Sequence, residues 1–86
     1  MKIEFSGLTA VSSETFSVNF EARVDGRQVV CSATAEAISL VAGGAGHGDM
    51  QQLFLAHKQV FFRVAERLIR EGRQPPIRVA IADISA

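Results

Sequence analysis

The stretch from Asp49 to Gly72, DMQQLFLAHKQVFFRVAERLIREG, decides how the rest of the chain is read. Apolar side chains recur through it at helical spacing. At about 100° per residue, Phe54, Phe61, Ala65 and Leu68 share one line, flanked by Met50, Leu53, Phe62, Val64 and Ile69. Arg63, Arg67 and Arg70 fall opposite them, beside Gln52, Gln59 and Glu66. Asp49 can cap the start, with Gln52 at capping-box spacing. Gly72 supplies a left-handed stop, and Pro75-Pro76 prevent any continuation. The expectation is one long amphipathic helix.

The apolar arc of this helix is wider than one sheet face requires. Leu55 and Phe62 lean toward one edge, to be covered by a neighbouring helix or by a second subunit. His57 and Lys58 interrupt the arc by projecting onto its apolar half, where an unpaired ammonium is costly. One account has Lys58 snorkelling to a carboxylate (Glu21, Asp25, Glu36, Asp49 or Asp83), with His57 at the core rim. The other makes them a catalytic or ligand-binding pair. Structural ion pairs give the same pattern, so the first is the expectation.

The segment from Thr15 to Ala33 carries the clearest strand signal. Phe16, Val18, Phe20, Ala22 and Val24 alternate with polar residues up to Asp25-Gly26, and Arg27 to Ala33 follows. An Asp-Gly pair between alternating runs marks a two-residue hairpin, because both turn positions need positive φ. The register then follows: Val24 faces Arg27, Ala22 faces Val29, Phe20 faces Cys31 and Val18 faces Ala33. The other face pairs Arg23 with Gln28, Glu21 with Val30 and Asn19 with Ser32. The hairpin is apolar toward a core and mostly polar toward water.

Lys2 to Phe5 alternates briefly as a first strand, and Ser6 to Glu14 reads as a connecting loop. Thr34 caps a short helix through AEAISLV, with Ala37, Ile38, Val41 and Leu40 as its apolar stripe and Gly43 as its end. Ile77 to Ile84 resumes strand alternation. Strands and helices are segregated, which predicts a two-layer α+β fold in one domain, residues 1–86. Its antiparallel sheet is the hairpin plus N- and C-terminal strands, with one short and one long helix on one face.

Nine basic and nine acidic side chains cancel, which argues against a general polyanion binder. Six basic residues against two acidic ones between His57 and Arg78 leave a local excess. Arg63, Arg67, Arg70, Arg73 and Arg78 could line a basic strip, but Glu66 and Glu71 lie at ion-pairing distance along the helix. The single cysteine, Cys31, excludes an internal disulfide and a cysteine-based zinc cage. It fits a reducing compartment. It faces inward, where a thiol behaves as a small hydrophobe. No signal-peptide pattern and no bilayer-length apolar run are visible, so the expected location is the cytoplasm.

The glycine run GGAGHGD, residues 43–49, lacks the spacing of a dinucleotide or phosphate loop, and Asp49 places negative charge where an anion would sit. His47, His57 and Asp49 do not share the i, i+4 spacing of a helical zinc pair. No cofactor, no metal and no catalytic motif is expected, and hence no enzyme.

The run VNFEARVDGRQVVCSATAEAI, followed by LFLAHKQVFFRVAERLIREGR, resembles the short bacterial proteins grouped as domain-of-unknown-function family fourteen eighty-eight. Val18, Phe20, Ala22, Val24, Asp25, Gly26 and Cys31 match the first part of the family pattern, with Val29 or Val30 as a further match. Phe54, His57, Lys58, Ala65, Leu68 and Ile69 match the second, with Phe61 or Phe62 in between. Lys58 stands where relatives often carry Arg. The resemblance implies a small α+β fold with no assigned chemistry.

The function expected is that of a small structural or protein-interaction module, self-associating as a homo-oligomer through a sheet edge or the wide apolar arc. One alternative is a weak nucleic-acid or anion binder using Arg63, Arg67 and Arg70. The other is a small ligand-binding or catalytic site around His57 and Lys58.

Overall fold

Residues 1–43 and 49–85 are described by the computed structural model. The Asp25-Gly26 turn sets its central register. Both residues adopt positive φ, 53° and 86°, and this matches the twist of the flanking strands. Strands β2 (Ser17–Val24) and β3 (Arg27–Thr34) pair antiparallel, with Val24 opposite Arg27 and Val18 opposite Ala33, as the turn dictates. Val18, Phe20, Ala22, Cys31 and Ala33 are consequently all buried on one face.

The N-terminal strand is longer than its sequence pattern indicates. Strand β1 spans Ile3–Ser12 and pairs antiparallel with β2, so most of the expected Ser6–Glu14 loop is sheet. Phe5 lies opposite Ala22 and Thr9 opposite Phe20, so four residues of β1 span two of β2. Gly7, at φ +82°, absorbs this bulge. The pairing satisfies the free backbone edge of β2, which alternation of large side chains does not report.

Strand β4 is only Ile77–Val79, and it pairs with Cys31–Ala33 of β3. The sheet order is β1-β2-β3-β4. The pairing of β4 is parallel, whereas an all-antiparallel sheet was expected. A helical crossover joins β3 to β4 in place of a hairpin, and such a connection permits parallel neighbours. The strand also ends early. Ala80 starts a turn, and Ile81–Ser85 forms a helix, α4, in place of the expected strand continuation. Asp83 Oδ2 accepts the Ala80 backbone N–H at 2.9 Å, the return half of a capping box.

Within the crossover, helix α1 spans Ala35–Val41, and the Thr34 hydroxyl accepts the Ala37 N–H at 3.1 Å. The expected single long helix is two: α2, Met50–Ala56, and α3, Lys58–Arg70. Asp49 caps α2 by accepting the Gln52 N–H at 2.8 Å. The ladder breaks at His57, with φ −122° and ψ 20°. At the other end Gly72 N–H bonds Ile69 O and Arg73 N–H bonds Leu68 O, the paired closure of a left-handed C-terminal cap.

The break has an energetic reason. An uninterrupted helix would point Lys58 into its apolar half, and desolvating an ammonium costs several kcal/mol. Interrupting the ladder gives up one or two hydrogen bonds worth about 1 kcal/mol each. The slip leaves Lys58 exposed while Phe54 and Phe61 remain buried on either side.

α1, α2, α3 and the inner sheet face supply one continuous core. Phenylalanines thread through it. Phe5 stacks on Phe62 at 4.4 Å, Phe20 meets Phe54 at 5.2 Å, and Phe54 meets Phe61 at 5.1 Å. Phe62 is therefore covered by β1, whereas Leu55 stays exposed. Among the described residues the fold is α+β: a mixed four-stranded sheet with four helices.

Two stability predictions follow from the core. Phe54→Ala should cost about 3–5 kcal/mol in urea unfolding, while Leu55→Ala should stay within about 0.5 kcal/mol. Burial pushes the Cys31 thiol from 9.0 up to about 11. The folded state favours the neutral thiol, so its contribution is complete below pH 9 and lost as pH rises to about 11. Urea midpoints should show a loss of roughly 2–3 kcal/mol across that window, and Cys31→Ala should not show this component.

Candidate functional site

The residues singled out from sequence do not converge. His57 is half-buried at the α2–α3 break, and its side chain makes no capping bond to α3. Lys58 is exposed and forms no ion pair among the described residues. The carboxylates considered for it are engaged elsewhere in four cases, Asp49 among them as the α2 cap. Glu21 pairs with Arg23 at 3.6 Å, Asp83 with Arg73 at 3.2 Å, and Asp25 accepts the Lys2 N–H at 2.9 Å. His47 lies outside the described residues. Among those described, no three His, Cys, Asp or Glu side chains gather as metal ligands.

The arginine face is interleaved with acids. Arg67 meets Glu71 at 3.7 Å and Arg70 meets Glu66 at 3.4 Å, both four residues apart on α3. Arg67 also donates to the Asp83 carbonyl of α4. Together with the Arg73–Asp83 pair, this pins α4 against the end of α3. Arg63 is exposed on the same face.

Two other surfaces stand out. The first is the free edge of β1. From Gly7 to Ser12 it carries no charge and no proline. Leu8 is 69% exposed there, with Val11 exposed farther along the strand. Phe16, in the turn that follows, has φ 49° and is 66% exposed. An aromatic residue held in the left-handed region without burial is uncommon. Val30 lies exposed on the outer sheet face nearby.

The second surface is a cleft of about 310 Å³ between the hairpin tip and the segment after α3. Val24, Val29, Ile69 and Ile77 provide apolar lining; Arg27 and Gln28 stand on one side and Arg73 and Gln74 on the other. Sequence alone could not bring these groups together. Arg27 and Arg73 come to line one cleft because β4 returns beside β3, and no local pattern announces that pairing.

The outward Lys58 and the paired Asp83 should respond differently to substitution. Lys58→Gln should leave unfolding free energy within about 0.5 kcal/mol of the parent. Asp83→Ala removes the Ala80 bond and a half-exposed ion pair, and should cost about 1 kcal/mol by urea denaturation.

No helix among the described residues is long and apolar enough to cross a membrane. No curated protein matches the chain. A crystal structure of a protein of unknown function from the DUF1488 family of Shewanella loihica PV-4 is similar in fold. Its TM-score is 0.74 at 19% identity, and the match covers 93% of each chain. Residues 3–80 match the family described as "Protein of unknown function (DUF1488)". With nearly all of its sheet, helices and core inside that match, the chain belongs to the DUF1488 family.

Proposed function

We propose that this protein is a small interaction module that acts by binding, without a catalytic step, and that it self-associates through β1. The supporting observation is the uncharged edge from Gly7 to Ser12, with Leu8, Val11 and Phe16 exposed along it. Edge strands of monomers are commonly blunted by lysine, proline or inward-facing charge. The second half of β1 has none of these, although its bulge at Gly7 bends the first half away. A neutral segment presents no like-charge repulsion when it meets an antiparallel copy of itself across a two-fold axis.

Strand pairing alone buries too little to make a stable joint, since specific interfaces usually bury at least about 1,200 Å². The exposed apolar side chains flanking the edge must therefore contribute, and the association is weak and concentration-dependent. Sedimentation equilibrium at protein concentrations on the order of 0.1 mM should detect a monomer–dimer equilibrium. Leu8→Lys places an ammonium on the edge and should shift the protein to monomer. Its urea stability should remain within about 0.5 kcal/mol of the parent, because Leu8 is not part of the core. A parent protein that sediments as a strict monomer at that concentration rules out self-association.

A further inference from the structure

The cleft at the hairpin tip carries chemistry that the β1 edge does not use. We propose that it binds a small organic anion, a carboxylate attached to an apolar body. Val24 and Val29, both half-buried, offer the apolar surface, backed by Ile69 and Ile77 of the core. Arg27 and Arg73 supply positive charge from segments far apart in sequence. Asp25, the carboxylate among the lining residues, keeps its charge but directs Oδ1 to a backbone donor of β1's flank. Its Oδ1 accepts the Lys2 N–H at 2.9 Å, and its own backbone N–H donates to Lys2 O at 2.9 Å.

Arg27 forms no ion pair among the described residues. Arg73 uses Nη1 on Asp83 Oδ1 at 3.2 Å, and a guanidinium carries five N–H donors, so others remain for a ligand. Gln28 also commits a donor elsewhere, its Nε2 donating to Glu21 Oε2 at 2.9 Å. The cavity, about 310 Å³, sits at the lower end of the range for small-molecule sites, roughly 300–1,000 Å³. The combination selects among ligands. A neutral apolar molecule would desolvate the arginines without giving them a partner. A bare inorganic anion would leave the apolar surface wet. A carboxylate on an apolar body satisfies both, with the guanidinium fork suited to a carboxylate.

Phenylpropionate is a suitable probe, followed by amide chemical shifts of the full chain. The neutral isostere phenylpropanol and inorganic phosphate serve as separate arms. Saturable shifts should appear in residues 24–29 and in Arg73, Gln74 and Ile77, with a dissociation constant on the order of 1 mM. Phenylpropanol and phosphate should each bind about tenfold more weakly or worse. Arg27→Gln should weaken phenylpropionate about tenfold, and its spectrum reports directly whether the fold is kept. Arg73→Gln should act in the same direction, and Arg63→Gln, on another face, should change nothing. Absence of saturable shifts, shifts centred outside the cleft, equal binding by Arg27→Gln, or phosphate binding as tight as phenylpropionate would each overturn the proposal.

Discussion

Five of the six phenylalanines form a connected chain of rings, and the fold depends on it. Phe5 from β1, Phe20 from β2, Phe54 from α2 and Phe61 and Phe62 from α3 meet at centroid distances between 4.4 and 6.4 Å. Each such pair adds about 0.5–1.5 kcal/mol beyond the area it buries. In a chain of 86 residues the core is thin, and contacts that tie four elements together matter more than they would in a larger protein. The Phe5–Phe62 stack is the farthest-reaching link, because it fastens the edge strand directly to the last long helix. Gln51 adds a second fastening, donating to the Thr9 hydroxyl at 2.8 Å.

What could be read from sequence was whatever is decided locally. The hairpin register was legible because Asp25 and Gly26 each need a backbone conformation that few residues accept, and the turn then counts out every pair. The caps at Thr34 and Asp49 and the stop at Gly72 were legible for the same reason: each is settled within three or four residues. The resemblance to the family rested on these turn and core positions, and the match over residues 3–80 covers them.

The departures all involve choices made over longer distances. Ser6 to Ser12 is weakly patterned, and it becomes strand because β2 has a free side to pair with. Ile81 and Ile84 continue a strand-like alternation, yet the Asp83 carboxylate turns back to Ala80 and closes a helical turn instead. At His57 the helical pattern itself conflicted with the cost of burying Lys58, and the conflict was visible in the sequence. Its resolution was not, since a salt bridge and a broken helix both relieve it. The cleft was the least legible feature, because its two arginines belong to strands and loops that become neighbours only after the crossover is complete.

The two sides of the sheet are unequal: β1 runs for ten residues, while β4 offers only three before the chain turns into α4. A template of three residues offers an added strand far fewer ladder hydrogen bonds than one of ten. Strand addition is therefore favoured at the β1 side over the β4 side. Two copies joined through β1 would each leave only the short β4 side outward, which would disfavour further addition. In such a pair the early end of β4 would act as a chain terminator, keeping strand addition at β1 from becoming the start of a fibre.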